Sequence, residues 1–258
     1  MAGSPYISVL KQGEKPSPFV PYFTVNRLIT TVTNMVLNKI NQQNNLIYLT
    51  LALTALLISS AVMSVIHGGV IETLFKVFVA LTLGVCLFSL RFDKRWFRLL
   101  LILLLVWIAL FTLGVFGISN HNENIILPLT FIFFLGTFRA IARQVLFRSQ
   151  VTANQIIGSV ALFLLLGLMW AIAYLFLLQF SPNALSGIPE QSWVANFSAT
   201  AYFSFITLTT LGYGDILPTN PIAQVIVYLE AITGLFYMAI VVSSLVSTHI
   251  EHQGKTHG

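Results

Sequence analysis

Seven consecutive residues, Thr209, Thr210, Leu211, Gly212, Tyr213, Gly214 and Asp215, carry the pattern with the most chemical content in this chain. Glycines alternate there with bulkier residues, and glycine takes positive φ without steric cost. A backbone whose φ alternates in sign turns successive carbonyl oxygens to one side, a geometry that ordinary L-residues resist. Such a strand offers a row of oxygens to a desolvated cation. The run lies between two long apolar segments. At membrane depth, irregular backbone persists only where it is buried in protein or lines a wet cavity. Glu230 is the second signal, deep in the apolar segment that follows. A carboxyl group there is costly unless it is satisfied, so it is a functional candidate by default.

These residues need elements to position them. Upstream, the 12 residues 198–209 read as a short helix ending at the run, with Asn196 or Ser198 as its cap. That length reaches about 18 Å, too little to cross a hydrocarbon core of about 30 Å, so a re-entrant helix fits. Its carboxyl end aims partial negative charge at the space beneath the run, which favours a cation there. Downstream, Pro218 and Pro221 close the extended stretch, and Pro221 suits the first turn of a new helix.

The sequence Thr-Leu-Gly-Tyr-Gly-Asp from Thr210 resembles the selectivity filter of potassium channels, usually Thr-Val-Gly-Tyr-Gly. Leu211 is the one departure, and its side chain is expected to point away from the ions. The resemblance, to bacterial potassium channels with one pore loop per chain, covers about residues 151–247. It implies an all-α integral membrane protein with six transmembrane helices plus a re-entrant pore helix and filter, tetrameric around a central pore. It implies passive conduction without enzyme chemistry, with K+ ions in the filter and no organic cofactor.

By the same resemblance, K+ is held at Thr210, Leu211, Gly212 and Tyr213, with Gly214 completing the filter. Thr209, Asp215, Tyr202, Phe203 and Glu230 support it. Tyr202 would donate to Asp215, and Ser204, Thr207 or Thr209 to Glu230. Gly234 stands 21 positions after Tyr213, where the family has its hinge glycine. Below it Leu235, Met238, Val242 and Val246 recur on one stripe, the expected cavity lining and gate.

Composition agrees with a membrane location. The chain of 258 residues is 57% hydrophobic and 8% charged, with a mean hydropathy of +0.86. A soluble domain of this size needs far more surface charge. Apolar stretches at 46–66, 70–90, 96–118, from 125 towards Arg139, at 156–180 and at 221–248 predict six spans. Of the 13 Lys and Arg, all but Lys76 fall on one side of that topology, whereas Glu72, Glu123, Glu190 and Asp215 fall on the other. The positive-inside rule then puts both termini in the cytoplasm and the filter near the outer side of a cell membrane, the bacterial inner membrane by resemblance. The basic residues anchor in membrane lipids and call for no nucleic-acid partner.

The expected organisation is a cytoplasmic segment 1–45 with an amphipathic interfacial helix over 25–40, a four-helix domain 46–148, a pore domain 149–250 and a short tail 251–258. The first 20 residues predict no cleavable signal peptide, and Cys86 alone excludes an intrachain disulfide. Arg139 and Arg143 are too few for the arginine ladder of a voltage sensor. Glu72 and Lys76, four apart, predict a local ion pair with Lys76 reaching outward. His249 and His252 stand at the cytoplasmic mouth as either proton sensors or a solvated tail. Asn196-Phe-Ser198 matches a glycosylation sequon, with helix capping as its other reading. A poorly selective cation channel, a potassium-uptake transporter and a non-conducting regulatory subunit are the alternatives. The sequence leaves open the opening stimulus and whether the first four spans pack on their own pore unit or a neighbour's.

Overall fold

The computed structural model describes residues 45–65, 68–89, 94–115, 123–146, 153–189 and 191–254. The interfacial helix expected over 25–40, and Glu190, lie outside them. Seven helices and two short strands follow in order. They are α1 Asn45–Val65, α2 Gly69–Ser89, α3 Lys94–Val115, α4 Glu123–Leu146, α5 Ala153–Phe180, β1 Leu185–Ser186, α6 Trp193–Leu208, β2 Leu217–Pro218 and α7 Pro221–Gly254. Six of these helices, all but α6, are long and apolar enough to cross a membrane. With 16 residues, α6 reaches about 24 Å and does not span. The protein is an all-α membrane protein with one short helix inserted between its last two spans.

The helices are stitched by the few polar groups they carry. Ser89 donates to the Asn45 carbonyl (3.2 Å), joining α2 to α1. The Trp107 indole donates to Thr130 (3.0 Å), joining α3 to α4. The Thr50 hydroxyl reaches the Ile157 carbonyl (3.4 Å), joining α1 to α5. One apolar cluster runs through all of α1–α6, from Leu49 and Leu53 through Phe133 and Phe134 to Phe197 and Ala201. Within the chain the first four helices therefore pack on α5 and α6.

A direct bridge from α2 to α6 is part of this packing. Phe75 meets Phe197 edge-on at 5.2 Å, and Lys76 Nζ lies 5.9 Å from the centre of the Trp193 ring. The expected Glu72–Lys76 pair does not form. Lys76 instead faces the indole of a neighbouring helix, a cation–π arrangement.

Candidate functional site

The start of α6 lies upstream of its expected cap. Ser192 is the cap, its hydroxyl accepting from the Ala195 amide (3.4 Å), and neither Asn196 nor Ser198 plays that part. Asn196 is 6% exposed, and its amide nitrogen donates to the carbonyls of Pro189 (2.9 Å) and Gln191 (3.4 Å). The sequon nitrogen is thus spent inside the protein, clamping the loop that enters α6. A polar residue at the edge of an apolar run marks a cap and a loop clamp equally well, which is why sequence misplaced the boundary.

At its other end α6 closes in a Schellman arrangement. The Thr210 amide donates to the Thr207 carbonyl (2.9 Å) and the Leu211 amide to the Ile206 carbonyl (2.8 Å). The residue after the cap in this motif takes left-handed φ and is usually glycine. Here it is Thr210, at φ 60, the one non-glycine residue with positive φ among the described residues. A β-branched side chain in that region is a true outlier, and such strain marks functional segments.

The left-handed conformation then recurs at every second residue, with φ 52 at Gly212 and 81 at Gly214. The amide of Gly212 also donates to Ile206 (3.1 Å), so this side of the strand is tied back to α6. Among the described residues, none donates a hydrogen bond to the carbonyl oxygens of residues 210–214. The strand is exposed within the chain, Leu211 by 56% and Tyr213 by 68%.

Beyond the strand, the Tyr202 phenol is hydrogen-bonded to the Asp215 carboxylate, and that bond holds the phenol above its ordinary pKa. Thr209 turns its hydroxyl back to the Phe205 carbonyl (2.7 Å). Phe203 is buried and meets Tyr174 edge-on at 4.9 Å. The paired β1 and β2 set Leu185 opposite Pro218 and Ser186 opposite Leu217, strapping the segment before α6 to the segment after the strand. Asn220 caps α7 through the Ala223 amide (2.8 Å), with Pro221 in the first position.

Behind α6 sits Glu230, with no exposed surface. One carboxyl oxygen lies 2.5 Å from Ser204 Oγ, and the other accepts from the Tyr174 hydroxyl. Ser204 Oγ is also 2.8 Å from the Gly167 carbonyl of α5. Of the three residues expected to meet Glu230, Ser204 does so, and Thr207 and Thr209 do not. Tyr174 escaped the sequence reading because an aromatic residue in a 28-residue apolar helix looks like packing. Its hydroxyl was the available signal, since a buried phenol needs a partner.

Gly234 lies against the end of α6. A Cβ at that position would stand 2.1 Å from the Leu208 carbonyl oxygen, so glycine is required for the two backbones to approach. Gly234, Leu235, Met238, Thr209 and Thr210 line one cavity of about 530 Å³, almost wholly apolar. The α7 backbone continues past Val242, Val246, His249 and His252, whose side chains lie outside the description.

A short helix that stops at a strained strand, both cradled between two spanning helices, is the arrangement to set against known proteins. Residues 160–251, which contain the short helix, the strand and most of both spanning helices, match the family model described as "Ion channel". Over that stretch the chain is similar to ion-channel domains. It is also similar to an inward rectifier potassium channel, Kirbac3.1, from Paramagnetospirillum magnetotacticum. The two are 32% identical over 82 residues, covering 32% of this chain and 25% of that relative. The matched stretch is thus a quarter of the relative's length. No solved structure matches at a significant level.

Proposed function

We propose that the protein is a potassium-selective channel in which four copies surround a central pore. Carbonyl oxygens of Thr210, Leu211, Gly212 and Tyr213, with the Thr210 hydroxyl, replace the hydration shell of K+. The observation that carries this reading is the positive φ at Thr210, Gly212 and Gly214, coupled with a carbonyl side that has no described partner in the chain. The Kirbac3.1 match supports K+ as the ion.

Assembly as a homotetramer is supported by α7. Its spanning part is 17% buried within the chain, against 61% for α5. Ile222, Val225, Leu229, Ile232 and Phe236 are exposed at three- and four-residue spacing, a helical stripe for neighbouring copies to cover. Residues 149–250 form the pore unit and 46–148 a four-helix domain that braces it. Both termini lie in the cytoplasm, with 1–45 and 251–258 outside the membrane. Thr209, Tyr202, Phe203, Asp215 and Glu230 hold the filter. Gly234, Leu235 and Met238 line the cavity, and the gate is formed further along α7.

Flux from liposomes containing the purified full-length protein tests this. A K+ gradient should drive flux and a Na+ gradient should not. Equal flux of both ions would make it a poorly selective channel, and none of either a non-conducting subunit.

A further inference from the structure

Glu230, Ser204, Tyr174 and the Gly167 carbonyl form a closed problem in proton counting. There are three oxygen–oxygen contacts: Tyr174 with one carboxyl oxygen, Ser204 with the other at 2.5 Å, and Ser204 with the Gly167 carbonyl at 2.8 Å. Each contact needs one proton between its two oxygens. Tyr174 brings one and Ser204 one, and a carbonyl brings none. An ionised Glu230 leaves two protons for three contacts. Ser204 would then have to face either the carboxylate or the Gly167 carbonyl lone pair to lone pair, with all three side chains free of exposed surface and out of reach of solvent.

We infer that Glu230 stands as the neutral carboxylic acid, and that its proton gives direction to a hydrogen-bond chain joining three helices behind the filter. Only one assignment satisfies all three contacts. Tyr174 donates to Glu230, the carboxyl O–H of Glu230 donates to Ser204 Oγ, and Ser204 donates to the Gly167 carbonyl. The chain begins on α5, crosses to α7, passes through α6 and returns to α5. Gly167 leaves room at this step: a Cβ there would meet the Phe205 ring at 2.5 Å, so that ring packs directly on the α5 backbone beside the carbonyl that Ser204 reaches.

The surroundings are consistent with a neutral group. The titratable residue bonded to Glu230 from α5 is Tyr174, and α6 contributes the non-titratable Ser204. On α7 itself, Tyr228 is exposed and Tyr237 donates to the Ser159 carbonyl. Lys76 is over Trp193, at the far end of α6 from Ser204. No cation is therefore among the bonded partners that would hold a carboxylate in place. Glu230 is a positioning residue: it orients α6, and through α6 the strand that α6 ends in. That last role rests on the channel reading, but the protonation state does not.

Infrared spectroscopy of the full-length protein in lipid near neutral pH reads the proton directly. Wild type should show the carbonyl stretch of a protonated carboxylic acid that exchanges slowly in D2O. Glu230→Gln should lose it, while Asp215→Asn and Glu72→Gln keep it. Glutamine presents an acceptor to Tyr174 and a donor to Ser204, so Glu230→Gln should melt like wild type, whereas Glu230→Leu should melt at a clearly lower temperature. Ser204→Ala, which orphans the carboxyl proton and removes the side-chain bond to the Gly167 carbonyl, should lower the melting temperature more than Tyr174→Phe. Absence of the acid band in wild type, or its survival in Glu230→Gln, overturns the inference. Because band and melting are read without any ion flux, a protein that passes here and carries no current would contradict the channel reading alone.

Discussion

Behind α6, the side chains of Glu230, Ser204 and Tyr174 meet with no exposed surface, and the chain supplies every partner they use. In front of it, residues 209–215 are exposed throughout, and the carbonyls of 210–214 have no described donor. The same short helix therefore has a back completed by its own chain and a front that its own chain leaves unfinished. The back resembles an ordinary buried polar network, in which unsatisfied groups are costly and full satisfaction makes for rigidity. At the front, left-handed φ at a threonine is retained at a cost of about 1–2 kcal/mol, as expected where geometry serves function. Rigidity behind and unspent carbonyls in front are two halves of one requirement: oxygens that must keep their spacing need a fixed wall to lean on.

Substitutions should separate the two halves. The largest effect on flux is expected for Gly212→Ala. A Cβ there would meet nothing within 4 Å in the chain, but φ is 52, so the cost is conformational. K+ flux should vanish while the melting temperature changes little; selective flux through this variant would sink the assignment of the front. Gly234→Ala should act the other way, through stability first. Its Cβ would collide with the Leu208 carbonyl at 2.1 Å, an overpacking worth about 1–3 kcal/mol. Melting should fall together with flux, and an unchanged melting temperature would mean that α7 does not bear on α6 in this way.

A smaller effect is expected for Tyr202→Phe, which removes the side-chain tie between α6 and Asp215. Flux should begin normally and decline faster at low K+ than in wild type; identical time courses would leave that tie without a role. Smallest is Lys76→Met, which removes the ammonium group from the Trp193 ring. A loss of about 0.5–1 kcal/mol in stability with unaltered selectivity is expected, as for a cation–π contact. A change in selectivity would extend the functional unit into α2.

Much of this was legible in the chain itself. The six spans came from apolar length, and most of their observed ends fall within three residues of the expected ones, as with Leu46 against Asn45 and with Phe180, whereas α4 and α7 run six or seven residues further than expected. The left-handed turns at Gly212 and Gly214 were readable because glycine at every second position frees φ to alternate in sign. Thr210 was not readable as left-handed, since a β-branched residue argues against that conformation until the Schellman bonds to Ile206 and Thr207 are seen. Glu230 announced itself by cost, but its partner Tyr174, 56 positions away, did not. Lys76 and Asn196 misled in the same manner. Local spacing suggested a neighbour in sequence, and the partners came from another helix and an incoming loop.

The central claim is that residues 210–214 of four chains form the ion pathway. Anomalous scattering from crystals of the full-length protein grown with Tl+ in place of K+ tests it most directly. A file of Tl+ peaks on the symmetry axis, level with the carbonyl oxygens of Thr210, Leu211, Gly212 and Tyr213, is the predicted result. Ordered Tl+ elsewhere, or four copies whose 210–214 strands do not face a common axis, would contradict it.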